Sequence, residues 1–285
     1  MAENSAFRNV DLHPALSLLA ANERPDWGNV AHPYQAIRAL ATIVTSDRPM
    51  NREYHKWLSP ILGREMELLV FGHAGSPALA FSTSCGRFFD FEDQGMVGAV
   101  QEKLEAGHLQ LFCIDSIDAE SWYNRAVVPR ARVARHLRFE QYILQEIVPF
   151  VRSRNSAASL AAIGCSFGGY HAANIALRHP GVFTNILSMG GVLDPSPFLS
   201  GYYDQDCYFN LPTHYMPNLH DPRYFDLYCR NTCILATGIN DPCRSQNEQM
   251  AHILHAKEVP CQLDIWGDNA GHDWPTWQRM IQTYL

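Results

Sequence analysis

A doubly wound α/β fold with a mostly parallel sheet is what this sequence predicts, and three observations predict it. From about residue 62 onward, short apolar runs alternate with stretches of helical period. Several of the runs are continuously apolar and lack the in–out alternation of a half-exposed sheet, so they suit strands covered on both faces. One run, Ser159–Ile163, leads into Gly164-Cys165-Ser166-Phe167-Gly168-Gly169 and then into a helical stretch. A strand that turns into a helix around a serine between glycines is a sharp structural signal.

The elements follow in order. Asn51–Trp57 is a candidate first strand. Met66–Gly72 and Pro77–Ser82 are strands, then Met96–Glu105 is a helix and Leu109–Ile114 a strand. Val133–Arg154 is a long amphipathic helix, with Leu137, Tyr142, Ile143, Ile147 and Phe150 near helical spacing. After the strand Leu160–Ile163, a helix over Tyr170–Arg178 stops at His179-Pro180-Gly181. Strands at Ile186–Met189, Cys233–Ala236 and Leu263–Trp266 and helices at Asn247–Glu258 and Trp274–Leu285 complete the alternation, which implies βαβ units.

Two segments break this rhythm. Residues 1–49 precede the first sheet strand. They read as an accessory extension, as lying before a translation start at Met50, or as an ordinary first helix over Pro33–Thr45 packed on the body. The second segment, 192–230, is a cap-like insertion between late strands, rich in proline and aromatics such as Phe198, Tyr202, Tyr203, Tyr208 and Phe209. A connection this long is usually functional or packed as a cap. It is expected over the carboxyl ends of the strands, as a lid or pocket wall or as cover for an exposed edge.

The chain has 285 residues, of which 47 % are hydrophobic and 18 % charged, and a net charge of −7. That length makes residues 50–285 one large domain with an ample core. The acidic balance and the lack of a basic run exclude a nucleic-acid surface. No apolar stretch approaches membrane-spanning length, and Pro14–Ala21 lacks the flanks of a signal peptide, so a cytoplasmic location is expected. The eight cysteines form no C-x-x-C pair and read as buried free thiols.

The chemistry centres on Ser166. In a G-x-S-x-G elbow the turn is so tight that side chains flanking the serine would collide with strand and helix. Glycines at 164 and 168 relieve this, and Ser166 stands clear as a nucleophile. The next N–H, on Phe167, can face a developing oxyanion. The arrangement is the nucleophile elbow of the α/β-hydrolase fold. Such a site needs an acid and then a histidine, each after a later strand. Asp241 follows the strand Cys233–Ala236, and His272 follows Leu263–Trp266. Asp268 and Asp273 are weaker candidates for the acid, and Asp273 is better placed to cap the last helix. The second oxyanion donor is expected from a backbone N–H at Thr83 or Ser84. Trp122 and Tyr123, in the loop after the strand ending at Ile114, are candidate pocket residues. Cys165 is expected to point into the body. No cofactor is called for, and no metal, since H-E-x-x-H is absent.

Gly164-Cys165-Ser166-Phe167-Gly168-Gly169-Tyr170, the Asp241 turn and Gly271-His272-Asp273-Trp274-Pro275-Thr276-Trp277 together resemble the putative-esterase family of α/β-hydrolases. That family includes feruloyl esterases, S-formylglutathione hydrolases, enterochelin esterases, polyhydroxybutyrate depolymerases and mycolyltransferases. The resemblance spans roughly residues 50–285 and implies a catalytic triad of Ser166, Asp241 and His272. Ser82-Thr83-Ser84-Cys85-Gly86 departs from it, standing where many members carry a His-Gly pair. The expected activity is a serine carboxylesterase acting on a small-molecule or oligomeric ester. An acyltransferase using the same three residues and a catalytically silent binding scaffold are the alternatives. Neither nucleic acid nor membrane is an expected partner, and a homo-oligomer is left open.

Overall fold

The computed structural model describes residues 50–285, so the readings made of 1–49 lie outside the described residues. Eight strands form one sheet: β1 (Arg52–Ser59), β2 (Arg64–Phe71), β3 (Ser76–Phe81), β4 (Leu109–Ile114), β5 (Ala161–Cys165), β6 (Asn185–Met189), β7 (Thr232–Gly238) and β8 (Gln262–Trp266). Their order across the sheet is β1-β2-β4-β3-β5-β6-β7-β8. β2 pairs antiparallel with both β1 and β4. Every pairing from β4 through β3 to β8 is parallel.

Burial explains the strand patterns. β4 is buried at every position, and β3 at all but its first. The edge strand β1 alternates exposed and half-buried residues. Its Lys56 and Glu53 lie on that edge, where charge discourages pairing with another chain. Along β2 successive residues enter opposite cores. Leu68 and Val70 join a cluster with Phe139, Ile147, Ala176 and Leu254, whereas Leu69 and Phe71 join one with Met96, Leu104, Trp277 and Met280. Helices therefore cover both faces, and each fully buried leucine or phenylalanine contributes roughly 1.5–3 kcal/mol.

The helices are α1 (Asp90–Asp93), α2 (Met96–Ala99), α3 (Gln101–Glu105), α4 (Pro129–Tyr142), α5 (Val148–Arg154), α6 (Phe167–Arg178), α7 (Gln205–Phe209), α8 (Pro212–Tyr215), α9 (Pro222–Tyr228), α10 (Arg244–Ala256) and α11 (Trp274–Tyr284). Two expectations change. The helix expected over Met96–Glu105 breaks at Val100, whose backbone leaves the helical region at φ −116 and ψ 13. The helix expected over Val133–Arg154 starts earlier, at Pro129, whose fixed φ suits a first helical position. It runs through a π turn at Ile143–Ile147 before α5, which carries Pro149 in its first turn. A wider turn there makes room for a ring that would otherwise meet the carbonyl four residues back.

The insertion contains short helices instead of open loop. α7 and α9 begin at the capping side chains Asp204 and Asp221, and α8 and α9 carry proline in the first turn. Leu199, Cys207 and Leu211 pack with Trp122, Val133, Phe167 and Tyr170 in a third apolar cluster. Asn210 is fully buried and binds Tyr170 Oη, Asn174 Nδ2 and Arg178 Nη1, so the insertion is fastened to α6.

The thiols divide by exposure. Cys113, Cys165, Cys207, Cys233 and Cys243 are buried, Cys261 is intermediate, and Cys85 and Cys229 are exposed, which corrects the expectation of burial for those two. All eight are free. Among the described residues no helix is long and apolar enough to cross a membrane.

Candidate active site

Ser166 sits between β5 and α6 at φ 57 and ψ −121, a backbone region that residues with a side chain rarely adopt. Such a conformation costs on the order of 1–3 kcal/mol and persists only where the surroundings impose it. Here Ser166 N–H donates to Met189 O at 2.9 Å, and Ser166 O accepts from Gly169 N–H at 3.0 Å and Val192 N–H at 3.1 Å. Gly168 is required by close approach. A Cβ there would lie 2.2 Å from both Phe81 O and Ser82 O, so the start of α6 is pressed against the end of β3. Cys165 is fully buried, whereas Ser166 keeps 7 % of its surface exposed.

Asp241 and His272 come from two loops that are stitched together. Ile239 N–H donates to Trp266 O at 2.8 Å, and Asn240 N–H donates to Ala270 O at 3.0 Å. The Asp241 side chain is fully buried, and that of His272 is 25 % exposed, which leaves the imidazole at the open side. His272 Nδ1 lies 3.0 Å from Asp241 Oδ1, and His272 Nε2 lies 2.8 Å from Ser166 Oγ. A carboxylate only accepts, so Nδ1 carries the proton and donates a hydrogen bond to Asp241. Nε2 is then free to accept from the Ser166 hydroxyl. Cys243 N–H donates to the same Asp241 Oδ1 at 2.7 Å, which fixes the carboxylate plane. The Trp277 ring meets His272 edge-on, with centroids 4.9 Å apart, and limits tilting of the imidazole. Asp273 accepts from Thr276 N–H at 2.9 Å as the N-cap of α11, the place expected for it.

The arrangement can move a proton from Ser166 to His272 and leave the serine oxygen nucleophilic. An oxyanion then needs donors. Phe167 N–H is the first amide of α6, where no intrahelical acceptor exists. Thr83 and Ser84 are half-buried in the loop that leaves β3. Ser84 Oγ is 2.6 Å from Tyr123 Oη. The Tyr123 ring lies 5.2 Å from that of Phe167 and 4.7 Å from that of Phe198, so it links this loop, the elbow and the insertion. Trp122 has no exposed surface and packs behind Phe167 and Tyr170, in the core behind the site.

Two residues that the sequence did not single out also stand at the site. Asp118 and His171 are both buried, and His171 Nε2 donates to Asp118 Oδ1 at 2.8 Å. The available signal was His171 four residues after Phe167, one turn along the same helix face.

Among the described residues, one set of His, Cys, Asp and Glu donors lies close enough to hold a metal: Asp241, Cys243 and His272, all within 4.8 Å of one another. Burial and the neighbouring Asp241 push the Cys243 thiol up to about 12. It therefore stays protonated at neutral pH.

Comparison with known proteins identifies the family and the fold. A family model described as "Putative esterase" matches residues 59–284. Among curated proteins, no sequence matches significantly. Among solved structures, a ferulic acid esterase is similar with a TM-score of 0.67 at 16 % identity, over 84 % of this chain and 97 % of its own. An S-formylglutathione hydrolase from Agrobacterium tumefaciens is similar with a TM-score of 0.63 at 16 % identity, over 83 % of this chain and 95 % of its own. A thermostable esterase from Pseudomonas putida is similar with a TM-score of 0.57 at 14 % identity, over 90 % of each chain. At these identities the likeness identifies the fold, which is that of the α/β-hydrolases.

Proposed function

Because the chain belongs to the putative-esterase family and is a serine hydrolase, we propose that it cleaves carboxylic esters through an acyl-enzyme on Ser166. The observation that carries this reading is the unbroken relay from Ser166 Oγ to His272 Nε2 at 2.8 Å and from His272 Nδ1 to Asp241 Oδ1 at 3.0 Å. Ser166 attacks the ester carbonyl while His272 takes its proton. Asp241 holds the ring in the needed tautomer and stabilises the imidazolium. Phe167 N–H and an amide of Thr83 or Ser84 stabilise the oxyanion, each such donor being worth about 3 kcal/mol in the transition state. His272 returns the proton to the departing alcohol. Water, activated by the same imidazole, then attacks the acyl-enzyme and frees the acid.

Tyr123 and Phe198 lie beside Phe167 and support an aromatic wall to the substrate cleft. A small or oligomeric ester is the substrate class. Ser166→Ala is expected to lower turnover of p-nitrophenyl acetate by about six orders of magnitude. A fluorophosphonate should label the parent at Ser166 and fail to label the variant. Ordinary turnover by the folded variant would sink the assignment. Replacement of water by an alcohol or thiol acceptor, read by product analysis with added acceptors, distinguishes hydrolysis from acyl transfer.

A further inference from the structure

We propose that the buried Asp118–His171 pair positions the oxyanion pocket by holding the loop at 83–85 against the first turn of α6. The inference rests on the acyl-enzyme reading above and adds a role that the relay through His272 does not contain.

The two halves of that pocket come from different parts of the chain. Phe167 N–H belongs to α6, whereas the Thr83 and Ser84 amides belong to the loop after β3. Asp118 sits between them, in the loop after β4, with no exposed surface. Its two oxygens point opposite ways. Oδ1 accepts from His171 Nε2 on α6 at 2.8 Å, and Oδ2 accepts from Cys85 N–H at 3.1 Å. One carboxylate therefore ties the loop to the helix.

The attachment is made at a sensitive point. Cys85 has φ 55, in the left-handed region that favours glycine, so its conformation must be imposed from outside. The bond to Asp118 supplies that constraint and fixes the peptide plane between Ser84 and Cys85. Ser84 is held on its other side by Tyr123, whose own backbone N–H donates to Asp118 O at 2.9 Å. On the helix side, the His171 ring lies edge-on to Phe167 at 5.1 Å and stacks on Phe81 at 5.8 Å. The pair thus contacts the residue that starts α6, the residue that ends β3, and the loop between the candidate donors. An acidic side chain with no exposed surface is costly to bury, and both of its oxygens go to this one junction. A pocket built for charge that develops only in the transition state depends on donors held within a fraction of an ångström.

The test uses Asp118→Ala, His171→Ala and the double variant of the full chain. It reads kcat and KM for p-nitrophenyl acetate, the inhibition constant of a trifluoromethyl ketone, which becomes an oxyanion when Ser166 adds to it, and the fraction of active sites from burst titration. Each single variant is expected to lose about 10- to 100-fold in kcat, with KM within about twofold, and to bind the ketone more weakly by a similar factor. The double variant should be no worse than the worse single one, because the two residues act as a unit. If Asp118→Ala does not fold, Asp118→Asn serves in its place. Its amide cannot keep both bonds at full strength, and a loss of about three- to tenfold is expected, again in kcat and ketone affinity together. Folded variants with kcat and ketone affinity within twofold of the parent overturn the proposal. So does a loss confined to the fraction of active sites, which marks a purely structural role. Ser166→Ala measured alongside separates the two ideas. Turnover by that variant removes the acyl-enzyme reading itself, whereas an inactive Ser166→Ala beside unaffected Asp118 variants removes only the positioning role.

Discussion

Asp241 takes both of its hydrogen bonds on one oxygen, and that has a measurable consequence. Its Oδ1 accepts from both His272 Nδ1 and Cys243 N–H. In Asp241→Asn only the amide oxygen can take that position, because an NH2 group there would face the Cys243 N–H donor. The carbonyl would still accept from Nδ1, so the imidazole keeps its tautomer and loses only the negative charge. Asn is therefore expected to cost about 10²–10³ in kcat, and Asp241→Ala, which removes both bonds, about 10⁴. Steady-state kinetics on the two folded variants decide it, and an Asn variant as damaged as the Ala variant would sink this account of the carboxylate. At this scale the elbow and the two loop residues were legible, because each follows an apolar strand in a fixed chain order. Asp118 and His171 were not, since a buried Asp in one loop and a His on a helix become partners only when three chain segments meet.

Among the elements, the junction of β3 with α6 sets the site. Gly168 admits the backbone of Phe81 and Ser82 to the first turn of the helix, and a methyl group there would lie 2.2 Å from two carbonyl oxygens. Neither oxygen can rotate away as a side chain could. Gly168→Ala is expected to destabilise the fold by about 3 kcal/mol. For a chain of this size that lowers Tm by about 6 °C. It should also lower kcat more than KM, since the loop that leaves β3 must shift. Parental Tm and kcat in the variant would contradict the close approach. The inner strands were readable within a residue or two because both-face burial demands continuous apolar runs, as in Leu109–Ile114. The insertion's helices were not, because α7, α8 and α9 are too short to display an apolar period. Their only marks were Asp204 and Asp221 as caps and prolines 212 and 222 in first turns.

Across the molecule, the mechanism depends on whether the insertion moves. A swinging lid would be drawn from weakly held structure, with few buried contacts and exposed hydrogen bonds. The opposite holds here. Asn210 is fully buried between Tyr170, Asn174 and Arg178, Tyr228 Oη donates to Leu177 O, and Leu211, Tyr215 and Met216 are core residues. These contacts fall along α6, the helix that begins at the elbow, so lifting the insertion would strip the helix that carries Phe167. Opening it as a unit would break these contacts together. Native-state hydrogen exchange is expected to place the bonded amides of α7–α9 in the same slow class as those of α6. Exchange through α7–α9 that is orders of magnitude faster than in α6 would identify a lid instead. With a fixed wall, substrate choice is expected to follow the shape already present around Tyr123 and Phe198. Phe198→Ala is then expected to widen the range of acyl chains accepted, with a loss of stability below the roughly 3 kcal/mol of a fully buried ring, since Phe198 is only partly buried.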